Sequence, residues 1–148
     1  MSQRFVVWDD RYSIGVETVD NQHKGLFALT NDLYDACQES GAAAGEHFKE
    51  VLQKAVSYVA LHFGTEEEIM KKIDDPNYEE HQKEHDLFVR KVIKEASALE
   101  QGGKDAPMVF MNFLRDWIAK HVTGTDIKIG QHIENLKEKG VLGANAKF

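Results

Sequence analysis

Seven side chains of metal-binding type, five histidines and two carboxylates, fall in four short stretches of this sequence, two of them as pairs at helical spacing. His62 and Glu66 stand four apart in "HFGTE", and His81 and His85 four apart in "HQKEH". Residues four apart on an α-helix project from one face, one turn from each other. His23 opens "HKGLFALTNDLYDAC", where Leu26, Phe27, Thr30, Leu33, Tyr34 and Cys37 recur at helical spacing, so it shares their buried face. His121 and Asp126 lie in "HVTGTD". Each fragment alone has an ordinary explanation. A lone histidine on an apolar stripe is usually a hydrogen-bonded core residue, and a His–Glu pair at this spacing is usually a solvated helix contact. The HxxxH pair is common by chance, and Gln82 stands where a zinc-protease signature would carry its glutamate.

The coincidence of the fragments is what carries weight. Buried ionisable groups are costly unless paired, hydrogen-bonded or metal-bound, and these seven all fall on inward faces. A metal site in the core compensates for all of them together. Glu67 and Glu68 lie off the aligned face and are expected to point elsewhere. His47 is about 22 Å along a continuous helix from His62, and His132 about 16 Å from His121, so neither can join. Both are read as surface or edge histidines.

The donor set narrows the metal. Seven side chains exceed the four of a closed zinc site. Five imidazoles argue against calcium and magnesium. Cys37 is the only cysteine, which leaves no thiolate set for copper(I) or an iron–sulfur cluster. Two octahedral ions fit. If Glu66 and Asp126 both bridge, and an oxo or hydroxo group bridges as well, a single coordination position stays open for a small molecule.

Four helices must bring these residues together. The 3.6-residue pattern predicts them over about 20–38, 43–72 and 77–101, with a fourth starting near Asp105-Ala106-Pro107. The second aligns Val51, Ala55 and Val59 with His62, Glu66 and Met70. The third aligns Tyr78, His81, His85, Phe88, Val92 and Ala96. The fourth turns Phe110, Phe113, Leu114, Trp117 and His121 inward. Pro76, Pro107 and the glycine-bearing stretches "SGAAAG", "EQGGK" and "KGVLG" fall between or after them. Nothing alternates as a strand would. The expected fold is all-α, an up-down-up-down antiparallel four-helix bundle. It forms one domain over 1–148: an arm at about 1–18, the bundle at about 19–138 and a loose tail at 139–148. The arm is expected to be non-helical, with Phe5, Val7, Trp8 and Tyr12 covering one side of the bundle.

Composition excludes several partners. The chain has 148 residues, 42% hydrophobic and 29% charged, enough for one self-sufficient core. A net charge of −7 leaves no basic stripe for nucleic acid or anionic membrane. No apolar run approaches the roughly 20 residues of a membrane span. A single cysteine suits a reducing compartment. "MSQRFVVWDD" has no signal-peptide core, so a soluble cytoplasmic protein is expected, with a trimmed leader the one route to the periplasm.

The set His23, His62-xxx-Glu66, His81-xxx-His85 and His121-xxxx-Asp126 resembles the hemerythrin signature at all seven positions. The flanks "VDNQHKGLF", "HFGTEEEIM", "HQKEHDLF" and "FLRDWIAKHV", and the N-terminal "VWDDRYSIGVETVD", are similar to bacterial hemerythrins. The likeness covers about residues 7–132. It implies a non-haem di-iron site with a bridging oxo or hydroxo group. By that resemblance His81, His85 and His121 would fill one iron, His23 and His62 would hold the other, and Glu66 and Asp126 would bridge. Dioxygen would take the open position on the His23/His62 iron. The residues a turn from the ligands are Leu26, Phe63, Trp117, Ile118 and Val122, and they are expected to line that oxygen pocket. Hemerythrins carry a leucine where Ile118 stands.

The resemblance implies reversible oxygen binding for storage or delivery, not enzymatic activity. The competing readings are oxygen or redox sensing, and a di-iron enzyme acting on oxygen, peroxide or nitric oxide. Di-iron carboxylate enzymes use mostly glutamates with two Glu-x-x-His motifs. Anionic ligands favour high-valent iron, whereas five neutral imidazoles favour lower oxidation states. Sensing would need a separate partner, and no docking patch marks one. An iron-storage or iron-repair role is equally unmarked. The expected partners are dioxygen and an oxygen-using enzyme, on a monomeric protein.

Overall fold

A computed structural model describes residues 4–101 and 106–148. Among these there are helices and no strand. In chain order they are α1 (Glu17–Cys37), α2 (Ala44–Lys72), α3 (Tyr78–Glu100), α4 (Ala106–Lys120), a π-helical turn (His121–Thr125) and α5 (Ile127–Glu138). The fourth expected helix is therefore α4 and α5 joined through one distorted turn. Most of "EQGGK", together with Asp105 ahead of α4, lies outside the described residues.

Local chemistry sets the helix ends. Glu17 and Asp20 occupy the first turn of α1, where a helix N-terminus favours negative charge. The Asp20 carboxylate also accepts from the Ile14 backbone N–H at 2.8 Å, which fixes how the arm enters the helix. That start is three residues earlier than the apolar periodicity suggests. After α2, Asp74 takes a left-handed φ of 51°, and Asp75 accepts from Asn77 N at 2.9 Å before α3 begins. Aspartate tolerates both roles, which makes this five-residue reversal possible without a glycine.

The core is two apolar layers with a polar layer between them. One apolar layer contains Leu26, Phe27, Val59, Phe63, Phe88, Leu114, Ile118 and Val122 among its buried residues. The other contains Ile14, Val16, Val19, Ile69, Met70, Ile73, Ile129 and Ile133, with Tyr78 packed against it. Helix α1 passes from Val19 through His23 to Leu26, and α2 runs the opposite way, from Val59 through His62 and Glu66 to Ile69. Helix α3 goes from Tyr78 through His81 and His85 to Phe88. The last helical segment reverses again, from Ile118 through His121 and Asp126 to Ile129. This alternating order is the up-down-up-down sense of an antiparallel bundle. Each fully buried aliphatic or aromatic side chain contributes about 1.5–3 kcal/mol, so the two layers hold the polar one in place.

The arm and tail differ from expectation. A 3₁₀ turn, Asp10–Tyr12, interrupts the non-helical arm, capped by the Asp9 carboxylate. Phe5, Trp8 and Tyr12 pack on the bundle as expected, but Val6 joins them while Val7 is 66% exposed. Asn31 explains the choice, because its side chain bonds both the N–H and the carbonyl of Val6 and so fixes which way the arm faces. The tail is docked. Gly140 closes α5 with φ 75°, Leu142 and Phe148 pack on the second apolar layer, and Thr18 donates to the Phe148 carbonyl at 2.8 Å.

Candidate metal centre

All seven expected residues meet in the polar layer, and none is more than 3% exposed. Helix α1 supplies His23, α2 supplies His62 and Glu66, α3 supplies His81 and His85, and the π turn supplies His121 with Asp126 following it. The five imidazoles all present Nε2 to the centre.

Glu66 and Asp126 each divide their two oxygens between two groups of histidines. Glu66 Oε1 lies 2.8 Å from His62 Nε2 and 3.3 Å from His23 Nε2. Its Oε2 lies 3.0 Å from His81 Nε2 and 3.1 Å from His85 Nε2. Asp126 Oδ2 is 2.8 Å from His23 Nε2, whereas Oδ1 is 2.9 Å from His121 Nε2 and 3.2 Å from His81 Nε2. Two compact donor groups result, one of Glu66, His81, His85 and His121, the other of His23, His62, Glu66 and Asp126, with donor atoms within 4.8 Å in each. Two carboxylates spanning two nitrogen clusters is the arrangement of a bridged pair of ions.

The donors fit cations better than they fit one another. His62 Nε2 and Asp126 Oδ1 are buried and make no hydrogen bond, although each is near atoms of opposite polarity. Orphaned buried groups of this kind call for an explanation. His85 Nε2 faces His121 Nε2 at 3.2 Å, nitrogen against nitrogen. The outward ring atoms settle where the protons sit. His62 Nδ1 donates to Gln22 Oε1 at 2.9 Å, His121 Nδ1 to Glu84 Oε2 at 3.2 Å and His85 Nδ1 to Glu67 Oε2 at 3.4 Å. A neutral imidazole protonated at Nδ1 directs its Nε2 lone pair inward, as a metal ligand must.

Without a metal, protons take the same place. Burial alone pushes the His23 imidazole down, but the Asp126 and Glu66 carboxylates override it and hold the group at about 9. His81 stands at about 9 by the same balance, and His121 at about 10. Burial pushes Glu66 up, yet the surrounding histidines, His62 foremost, hold it well below the usual carboxylate range. Asp126 is raised by burial and by the Glu66 charge, and His121 and His23 bring it below its ordinary value. The centre thus attracts positive charge whichever species provides it.

Two aromatic rings cover one half. Phe63 stacks on His85 at 3.7 Å between centroids, and Trp117 stacks on His121 at 4.3 Å. Both therefore lie over the three-histidine half and not on the His23/His62 side where the oxygen pocket was expected, with Phe63 6.1 Å from the His62 ring. Leu26, Ile118 and Val122 are buried in the same apolar layer.

The reading of the sequence missed the outer partners. Gln22, Glu67 and Glu84 hold three of the rings, and Thr125 donates to Glu84 at 2.9 Å. Glu67 points at His85 instead of away, because a residue one position beyond Glu66 still flanks the inward face. The available signal was adjacency: Gln22 and Glu84 each immediately precede an inward histidine. His47 pairs with Glu39 at 2.7 Å, and His132 is half-buried in α5, both clear of the centre.

Comparison with known proteins agrees with this geometry. The family model described as the hemerythrin HHE cation binding domain matches residues 14–133. A bacteriohemerythrin of Pseudomonas aeruginosa is 33% identical over 121 residues, covering 82% of this chain and 76% of that one. A myohemerythrin of Theromyzon tessulatum is 33% identical over 125 residues, covering 82% of this chain and 88% of the relative. The crystal structure of a leucine-to-alanine hemerythrin mutant superposes with a TM-score of 0.76 at 24% identity, over 88% of this chain and 98% of that one. The last likeness concerns the fold.

Proposed function

This chain belongs to the hemerythrin family, and on that premise we propose that it binds dioxygen reversibly at a non-haem di-iron centre, for oxygen storage or delivery. The observation that carries the reading is that Glu66 and Asp126 each direct one oxygen to either of two clusters of imidazole nitrogens. His81, His85 and His121 would hold one iron, His23 and His62 the other, with both carboxylates and an oxo or hydroxo group between them. A ferrous pair held there would supply electrons to dioxygen on binding and take them back on release.

The protein's own residues account for reversibility. Five neutral nitrogen donors temper the charge of two carboxylates, which disfavours the high oxidation states that drive oxygenation chemistry. Three nitrogens on one side and two on the other would leave room for a small ligand on the His23/His62 side. Leu26, Ile118 and Val122, buried in the apolar layer next to the centre along α1, α4 and the π turn, would keep water and anions from that side. Gln22 holds the His62 ring from outside and Glu84 holds His121. The reading extends to a monomer acting in the cytoplasm and passing oxygen to an oxygen-using enzyme. No described helix is long and apolar enough to cross a membrane.

An optical experiment tests the reading. The ferrous protein should develop a visible charge-transfer band in air that fades under argon through several cycles. A band that forms once and decays to a ferric product, or turnover of peroxide or nitric oxide at the same site, would favour an enzyme.

A further inference from the structure

The two halves of the centre are held from outside by different chemistry. In the three-histidine half, His85 and His121 each give the Nδ1 proton to a carboxylate, Glu67 at 3.4 Å and Glu84 at 3.2 Å. Glu84 is itself fixed by Thr125 at 2.9 Å. In the other half, His62 gives its proton to the neutral amide of Gln22 at 2.9 Å. His23, wholly buried, has no partner for Nδ1. The aromatic cover repeats the division, since Phe63 stacks on His85 and Trp117 on His121.

An imidazole that donates to a carboxylate is a stronger electron donor and is locked in orientation, and removing such a partner typically weakens metal affinity about 10–100-fold. An imidazole with an amide partner gains the orientation without the charge. One with no partner gains neither, and its buried N–H remains unsatisfied.

Resting on the di-metal reading above, we propose that Glu67 and Glu84 are positioning residues that make the three-histidine half bind its ion first and more tightly. Gln22 and the unpartnered His23 leave the other half the later and looser site. The centre then fills in order, with a stable one-metal state on His81, His85 and His121. The same asymmetry localises lability at the half that is to meet dioxygen, while the opposite ion stays anchored.

Cobalt(II) provides the test, because it binds the same donors and its visible bands report each step without any oxygen chemistry. Metal-free protein titrated with cobalt(II) against a competing chelator should take up two ions in two steps, at least about ten-fold apart. His23→Ala should lose the weak step and keep the tight one, and His85→Ala should lose the tight one. Glu84→Gln preserves an acceptor but removes the charge, and should weaken the tight step about ten-fold while changing the weak step little. Glu67→Gln should act in the same direction. Gln22→Glu should strengthen the weak step, a gain that a merely structural role would not produce. Two steps of equal affinity in the parent, or a tight step untouched by both glutamate variants, overturns the inference while leaving a di-metal site standing. A chain that binds no cobalt at all overturns the metal reading and the inference together.

Discussion

Asp126 donates its backbone N–H to the His121 carbonyl at 2.8 Å, a bond that spans five residues where an α-helix spans four. On a regular helix two residues five apart are about 140° apart around the axis and cannot share a site. The π turn absorbs the additional residue, so Asp126 Oδ1 reaches 2.9 Å from His121 Nε2. Thr123 assists by donating its hydroxyl to the Ala119 carbonyl within the same turn. The distortion is thus what makes a four-helix bundle close around two carboxylates instead of one.

Gly124 sits in that turn, but the turn does not require it. Its φ is not positive, and a Cβ there would meet nothing within 4 Å. Gly124→Ala should keep full metal content and raise stability by up to about 1 kcal/mol through lower chain entropy. Iron analysis and thermal unfolding check this. Loss of metal in this variant would mean that glycine flexibility, not the pull of His121 and Asp126, creates the π turn.

The π turn shows what can be seen in a sequence and what cannot. A spacing of five between His121 and Asp126 conflicts with helical geometry, and that conflict alone predicts an irregular turn at 122–126. The seven inward residues were legible for a related reason, because burying them together makes no sense without a shared cation. The outer partners were not legible. Glu67, Glu84 and Gln22 lie just off the inward faces, where a charged residue usually means a solvated surface, and only the rotation of each helix shows which of them reaches a ring. The docked tail was hidden similarly: "GVLGANAKF" has three large apolar residues and no periodicity, and the burial of Leu142 and Phe148 depends on a groove that α1 and α5 form together.

The ligand pairs should read out as stoichiometry. The purified protein is expected to hold two irons per chain. His62→Ala should reduce this towards one, since it removes a donor from a single cluster. Glu66→Ala should cost more, since its oxygens serve both clusters. Full iron content in both variants would remove the α2 segment from the site.

Stability of the metal-free protein should depend on pH in a definite direction. His23 and His81 at about 9, and His121 at about 10, lie above their ordinary value of 6.5. Their contribution is complete below 6.5 and is lost as pH rises through 9–10. Glu66 and Asp126 lie below their ordinary values, so theirs is present above about 4–5 and is lost on acidification. The unfolding temperature of metal-free protein should therefore be highest at about pH 5–6.5 and fall towards pH 10. With metal bound, the inward nitrogens no longer carry protons and the alkaline fall should disappear. Parallel alkaline limbs with and without metal would mean that these imidazoles do not take up protons in the empty centre.

Gly130 marks where the arm crosses α5. A Cβ at this position would overlap the backbone carbonyl of Ile14, which no rotamer change can relieve. Gly130→Ala should destabilise by about 1–3 kcal/mol, lowering Tm by several degrees. Because the clash lies in the second apolar layer and not at the centre, metal content should be retained. Unchanged Tm would mean that the arm is not seated over α5.

Ile118 is the residue through which access to the open side can be tested. It is 1% exposed, one turn before His121, and it belongs to the layer that contains Leu26 and Val122. Most of its burial serves packing, so truncation carries the ordinary cost of a core cavity, about 2–5 kcal/mol for Ile→Ala. A second effect is expected if it also keeps water and anions from the pocket. The space left by Ile118→Ala would open one helical turn from His121, and a solvent molecule that reached the centre through it could deliver a proton or displace bound oxygen. The variant should retain both irons and autoxidise faster than the parent. Ile118→Leu preserves volume, costs less than about 1.5 kcal/mol and should autoxidise at nearly the parental rate. The pair separates pocket access from general loosening, because autoxidation should follow side-chain volume even at temperatures where both variants are fully folded. Equal autoxidation in Ile118→Ala and the parent would assign the lining to other residues of the layer.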